Sequence, residues 1–320
     1  MNNRILTTIF LTAAALAACT DTEPAPDSVS AAGKTRVVLK QEQEQARPIA
    51  VYAFRQQGED FLFDTLFRDG WTPRGTLSVR MPNGRYKFLF ASGSGEILTL
   101  EPAPLTPGTN WDEVAFEMHP KPEDPSMWGS ADELFLQYPA SDANRVYILG
   151  GSDQTVPARL TRAVSRIDIH LKRGYHDGVQ YVEVPYTAPH SILEEIERVE
   201  LRAENAGLRV TPDAVSGSAA VEATLAAADY VQLTETGFAT LEGPLILPPA
   251  GGADLDLTVE VVPVEGAGLQ PVRLDLWEKV ERNEILDVTL WITAGYPVVG
   301  VEIGYAPIDR KQDGDSGIWE

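Results

Sequence analysis

Cysteine is almost missing from this chain: Cys19 is the only one in 320 residues. One thiol cannot close an internal disulfide, so burial of apolar surface has to hold the fold together. Histidine is nearly as scarce. His119, His170, His176 and His190 are the full set, and no two stand at a zinc-ligand spacing such as HxxxH. They read as surface histidines, His170 alternating outward on a strand and the other three in turns, and no metal or cofactor is expected. Basic charge is also short, with 26 Lys and Arg against 47 Asp and Glu and a net charge of −21. Such a surface repels nucleic-acid backbones and anionic headgroups, so DNA and RNA are not expected partners. Helical periodicity is rare, and no internal repeat of about 20–50 residues is visible.

What is present begins at the amino terminus. Arg4 precedes the apolar run Ile5 to Leu16, the layout of a secretory signal peptide, and the run is shorter than the roughly 20 apolar residues a membrane span needs. No later segment offers a second span. The run closes on Leu16-Ala17-Ala18-Cys19, which reads as a bacterial lipobox: small residues let a peptidase bind the backbone, and only a thiol forms the diacylglyceryl thioether. A chance cysteine after an ordinary cleavage site is the weaker reading. We expect residues 1–18 to be removed and Cys19 to carry the lipid, with several acyl chains giving a stable membrane anchor. Residues 19–34, small, acidic and proline-containing, then form a lipidated flexible tether.

The rest of the chain is long enough for two domains of about 140 residues, and we expect them at 35–160 and 161–320, with the junction near 157–166. The dominant pattern is period-two alternation, which indicates an all-β protein. It recurs in Thr35 to Leu39, Ile49 to Phe54, Leu77 to Met81, Arg85 to Phe90, Ile167 to Lys172, Leu255 to Val261 and Leu286 to Ile292. The later segments are expected to place one face on a core and one in water. Asn83-Gly84, between Leu77 to Met81 and Arg85 to Phe90, suits a tight hairpin turn joining two paired strands. Ser191 to Glu194 fits either a capping box opening a helix through Arg198 or a lead into a strand at Ile196, Val199 and Leu201. The proline-rich stretches at 101–107 and 119–125 read as long loops.

Motifs for chemistry are weak. Gly33-Lys34-Thr35 lacks the earlier glycine of a phosphate-binding loop, because Ser28 stands there. Ala91-Ser92-Gly93-Ser94-Gly95 lacks the first glycine of a nucleophile elbow and reads as a turn. Asp313 to Gly317 has the acid spacing of a calcium loop without its closing glutamate, and a solvated acidic turn is the better reading. No catalytic residue is assigned. Trp71, Trp111 and Trp128, in loop-like regions, either stack on sugars or, as we favour, plug the ends of the domains; Trp277 and Trp291 sit in strand-like segments.

Together several of these features resemble the fimbrillin-type lipoproteins of type V pili, in particular FimB-like anchor and accessory subunits. The resemblance rests on the lipobox at Cys19, the early strand Ile49 to Phe54, Pro82-Asn83-Gly84-Arg85-Tyr86-Lys87-Phe88, the arginine-containing segment Leu160 to Ile169, and Arg282 to Leu290. It implies two transthyretin-like antiparallel β-sandwich domains in tandem, lipid anchoring at the outer membrane, other fimbrial subunits as partners, and adhesion to a host or bacterial surface ligand. It further implies assembly by exchange of a β-strand, which satisfies an open sheet edge without catalytic groups. Candidate exchanged strands lie at the two ends: Val37 and Leu39 in one, Val299 and Val301 in the other. Each reads equally well as an ordinary internal strand. A surface glycan-binding lipoprotein is the alternative function, and an envelope hydrolase a more distant third.

Overall fold

The computed structural model describes residues 33–41, 49–93, 95–120, 128–293 and 296–308, with the backbone alone at 296–299. The first group of strands is β1 (Lys34–Gln41), β2 (Ala50–Gln57), β3 (Asp60–Phe67), β4 (Thr76–Pro82), β5 (Gly84–Gly93), β6 (Leu98–Glu101), β7 (Ala115–Met118), β8 (Leu134–Gln137), β9 (Tyr147–Leu149), β10 (Gln154–Ala158) and β11 (Leu160–Arg162). The second is β12 (Ser165–His176), β13 (Tyr181–Glu183), β14 (Ile196–Ala206), β15 (Arg209–Val210), β16 (Val215–Ser216), β17 (Ala219–Ala226), β18 (Gln232–Leu233), β19 (Ala239–Ile246), β20 (Leu255–Pro263), β21 (Val272–Glu278), β22 (Glu284–Thr293) and β23 (Tyr296–Pro307). Among the described residues one α-helical turn occurs, Ala140–Ala143.

The chain is all-β and builds two β-sandwiches in tandem. In the first, the sheet β10-β1-β4 packs on the sheet β11-β8-β5-β2-β3, with β9 beside β5. In the second, β18-β19-β12-β22-β23, with β13 beside β12, packs on β17-β14-β20-β21. Pairing is antiparallel apart from two parallel pairs, β1 with β10 and β12 with β22. The change from one sandwich to the next falls between Arg162, which ends β11, and Ser165, which opens β12.

Period-two alternation explains the cores. Val37 and Leu39 from β1 meet Leu77, Met81, Phe88, Phe90 and Val156 in the first core, while Ile167, Ile169, Leu201, Leu257, Val288 and Leu290 belong to the second. Each fully buried aliphatic or aromatic side chain contributes about 1.5–3 kcal/mol. Where the expected alternation of one buried face and one wet face fails, a third layer or an ion pair is responsible. β2 and β5 are buried on both faces: Val51, Ala53, Phe88 and Phe90 face the first core, and Tyr52, Phe54, Leu89 and Ala91 face the chain from 95 to 118. Trp111 meets Phe54 edge-on there, with ring centroids 5.1 Å apart. On β12, Asp168 is only 2% exposed because Arg166 closes over it at 2.8 Å.

The expected hairpin at Asn83-Gly84 is absent. β4 pairs with β1, and β5 pairs with β2, β8 and β9, so the turn carries the chain from one sheet to the other. Asn83 holds this corner: its amide donates to the Gly33 carbonyl at 3.1 Å, its Oδ1 accepts from Thr35 Oγ1 at 2.9 Å, and its carbonyl accepts from Arg55 Nη2 at 2.9 Å. The ambiguous stretch after Ser191 is a short 3₁₀ turn, Ile192–Glu194, leading into strand β14, and Ser191 makes no side-chain cap.

A fifth sheet, β16-β15-β7-β6, draws two strands from each half of the chain and joins the sandwiches. Phe116 stands opposite Val210, and the Met118 amide donates to the Leu208 carbonyl at 2.9 Å. Trp128 bridges to Val221, and the Ala131 amide donates to the Leu245 carbonyl at 2.7 Å. Moving one sandwich against the other would break these backbone bonds.

Candidate strand-exchange site

Cys19 and the lipobox residues Leu16, Ala17 and Ala18 lie outside the described residues, as does Asp313 to Gly317. The two candidate strands occupy opposite kinds of position. β1 is the middle strand of its sheet, parallel to β10 and antiparallel to β4, with Val37 opposite both Gln154 and Val79. Thr35, Val37, Leu39 and Gln41 point inward, the first three fully buried. Polar groups pin both ends: the Gly151 amide donates to Thr35 Oγ1 at 2.7 Å, and the Gln41 amide to the Gly75 carbonyl at 2.8 Å. Its outward Arg36 donates to Ser78 Oγ at 2.9 Å. Taking β1 away would leave two unpaired edges, β10 and β4, facing each other across a slot floored by the first core.

β23, by contrast, is an edge strand, paired with β22 alone among the described residues. Val301 stands opposite Leu290 and is half-buried. The register steps from Trp291–Gly300 to Ile292–Val298, so Val299 is the extra residue of a bulge, and its side chain lies outside the described residues. Trp291 Nε1 donates to Glu302 Oε2 at 2.8 Å and Tyr305 Oη to Glu278 Oε2 at 2.6 Å, fastening the strand along its length. The Glu278 carboxylate and burial together push the Tyr305 phenol well above its ordinary value, burial being the larger cause.

Sequence reasoning missed the walls of the β1 slot. β10 carried a readable signal, Val156 and Ala158 alternating inward, but its Pro157 and short length obscured it. β4 was visible as a strand and assigned the wrong neighbour.

The other candidate groups are spent on structure. Ser92, in the glycine-serine segment, is buried in β5. His170, expected to face solvent, is held between Thr240 Oγ1 at 3.0 Å and Asp287 Oδ1 at 2.9 Å; His119 bonds Thr99 and Glu101, and His190 bonds Glu194. The loop tryptophans are dispersed and packed, not gathered on one surface: Trp71 donates to the Ile49 carbonyl at 3.1 Å, Trp111 lies under Phe54, and Trp128 sits in the seam between sandwiches. Trp291 is buried and stacked on Tyr181, whereas Trp277 on β21 is 63% exposed.

No family model matches the sequence, and no curated protein matches it. Solved structures do resemble it. A candidate polysaccharide-binding protein (DUF1812) from Bacteroides thetaiotaomicron superposes with a TM-score of 0.54 at 11% identity, over 87% of this chain and 99% of the other. A candidate adhesin from Bacteroides ovatus gives 0.52 at 13% identity, over 85% and 93%. The likeness is one of fold. The fimbrial anchor protein Mfa2 from Porphyromonas gingivalis is also among the similar structures, at a TM-score of 0.48, 14% identity, 86% of this chain and 99% of that one. The first two resemblances extend over nearly the whole of each relative, so it is the tandem sandwich, and not one module of it, that is shared.

Proposed function

We propose that this chain is an exported, lipid-anchored subunit of a surface fimbrium, an anchor or accessory subunit that serves adhesion and assembles by β-strand complementation. Its fold is of the kind found in proteins named as candidate adhesins. In this reading residues 1–18 are the export signal, Cys19 carries the lipid at the outer membrane, 19–34 is the tether, and the two domains that follow meet at a junction near 157–166.

The observation that carries the proposal is the position of β1. The first strand after the tether is the central strand of its sheet, with Val37 and Leu39 in the core, so a single segment both follows the anchor and fills a slot another strand would fit. Main-chain bonds to β10 and β4 would supply affinity, and the pockets of Val37 and Leu39 would supply specificity. An anchor keeps β1 and offers the edge β23, around Val299 and Val301, to its neighbour; a polymerising subunit loses β1 and accepts a strand. We favour the anchor.

Cells producing the full chain provide the test. The protein should co-isolate with fimbrial filaments and bind a terminal-strand peptide from another subunit, and its amino terminus should remain at acylated Cys19. Failure of both associations defeats strand complementation. Removal of β1 during assembly defeats the anchor role.

A further inference from the structure

The second sandwich has one sheet edge that nothing in the described residues covers or blunts. Of its four edges, β17 is bridged by Trp128, whose carbonyl accepts from the Glu222 amide at 3.0 Å, and β18 has only two residues. β23 carries Pro297, Pro307 and two register shifts near its start, so only its stretch around Val301, the part offered to a neighbouring subunit above, stays regular. β21, Val272–Glu278, differs from all three. It has seven residues, contains no proline, pairs with β20 without any shift, and has no partner on its other side among the described residues. A long, regular, open edge is a template for another strand.

The side chains of β21 point to the occupant. Its burial alternates strictly: Val272, Leu274 and Leu276 are half-buried on the core face, and Arg273, Asp275 and Trp277 are exposed on the other. We propose that β21 pairs antiparallel with β21 of a second copy of this chain, about a two-fold axis through Leu274. Directly opposed residues share a face in an antiparallel pair. Arg273 of each copy then stands opposite Asp275 of the other, so two ion pairs form across the axis. Val272 stands opposite Leu276, Leu274 opposite Leu274, and the exposed Trp277 opposite the exposed Pro271.

Other registers fail on the same residues. A two-fold through Arg273 opposes the two arginines, and one through Asp275 opposes the two aspartates. A slip of one residue sets the charged face of one copy against the apolar face of the other. The strand is therefore self-complementary in charge in one register alone. Within one chain Arg273 Nε and Asp275 Oδ1 are 3.4 Å apart with side chains 64% and 49% exposed, a weak pair that costs little to exchange. The result is a continuous sheet running from β17 of one copy to β17 of the other, joining two subunits side by side.

Analytical ultracentrifugation of the full chain over a concentration series tests the proposal, with hydrogen exchange at β21 as a second readout. Wild type should show a monomer–dimer equilibrium, and the β21 amides should become protected as the dimer fills. R273D and D275R should each weaken the dimer by about tenfold or more, because two attractions become two repulsions. The double variant R273D/D275R should recover dimerisation, since each pair is restored with its signs reversed. A monomer at every concentration, a dimer whose β21 amides stay unprotected, or a double variant no better than the singles overturns it.

Discussion

Arg162 and Asn283 meet across the seam between the sandwiches, the Arg162 Nη1 donating to the Asn283 Oδ1 at 3.0 Å. Arg162 is the last residue of β11 and its side chain is fully buried; Asn283 lies in the turn between β21 and β22. Glu133 accepts from Arg162 Nε at 3.1 Å and Nη2 at 2.6 Å, and the guanidinium lies 4.8 Å from the Phe135 ring centroid. Asn283 has a positive φ of 62°, and its amide donates to the Val164 carbonyl at 3.0 Å. A buried cation thus fastens the first sandwich to a strained turn of the second.

Arg162→Ala should cost about 3 kcal/mol, measured by urea denaturation, because it strips a buried, multiply bonded cation from its carboxylate. Asn283→Gly should cost about 1 kcal/mol through the lost hydrogen bond, and Asn283→Val about 1–3 kcal/mol more, because a β-branched residue resists positive φ. Equal losses for Gly and Val would contradict the strain.

Leu39→Ala, in the centre of the β1 sheet, should cost about 2–5 kcal/mol, whereas Val301→Ala on the half-buried edge strand should cost about 1 kcal/mol. Val37→Asp should unfold the first sandwich, since it places a carboxylate among the apolar side chains of that core. A synthetic peptide of Lys34–Gln41 should raise the melting temperature of the Val37→Asp chain by occupying the slot. No shift at saturating peptide would mean that β1 cannot be supplied in trans.

Alkaline pH should weaken the first core through Tyr86. Its phenol, buried beside the Asn83 corner and donating to the Pro82 carbonyl at 3.1 Å, is pushed up from 10.0 to about 12, with burial the largest cause. Between those values the unfolded chain has lost this proton and the folded chain retains it, so stability falls as pH rises. The contribution is intact below pH 10 and lost through about pH 12. Tyr86→Phe should flatten the slope of unfolding free energy against pH in that window by about 1.4 kcal/mol per pH unit. An unchanged slope would remove Tyr86 from the account.

Cys19→Ser should abolish incorporation of labelled palmitate and move the protein from the membrane fraction to the soluble envelope fraction. In wild type the label should persist in the mature protein. Its absence there, with Cys19 intact in the precursor, would end the anchor role.

Much of the strand content was legible in the residues themselves. Alternation in Ile167 to Lys172, Leu255 to Val261 and Leu286 to Ile292 marks β12, β20 and β22 because side chains in an extended backbone alternate faces whatever the partner strand. The same rule could not say which strand lies alongside. Asn83-Gly84 carries hairpin chemistry, yet β4 and β5 diverge, because Thr35, Gly33 and Arg55, distant in sequence, take up the polar groups of Asn83. Nor could alternation show that β2 and β5 have a covered second face, since the cover comes from a loop-rich stretch around Trp111 with little periodicity of its own.

By itself, then, the sequence determined an all-β chain, because strand period is a local pattern. Only the tertiary structure decided that β1 is a central strand, that β23 and β21 are edges, and that β6 and β7 join β15 and β16 across the two halves. Sheet neighbours are chosen by backbone hydrogen bonds between distant segments, and an isolated strand carries the same donors and acceptors on both sides. Which of those sides remains open is a property of the assembled sheet.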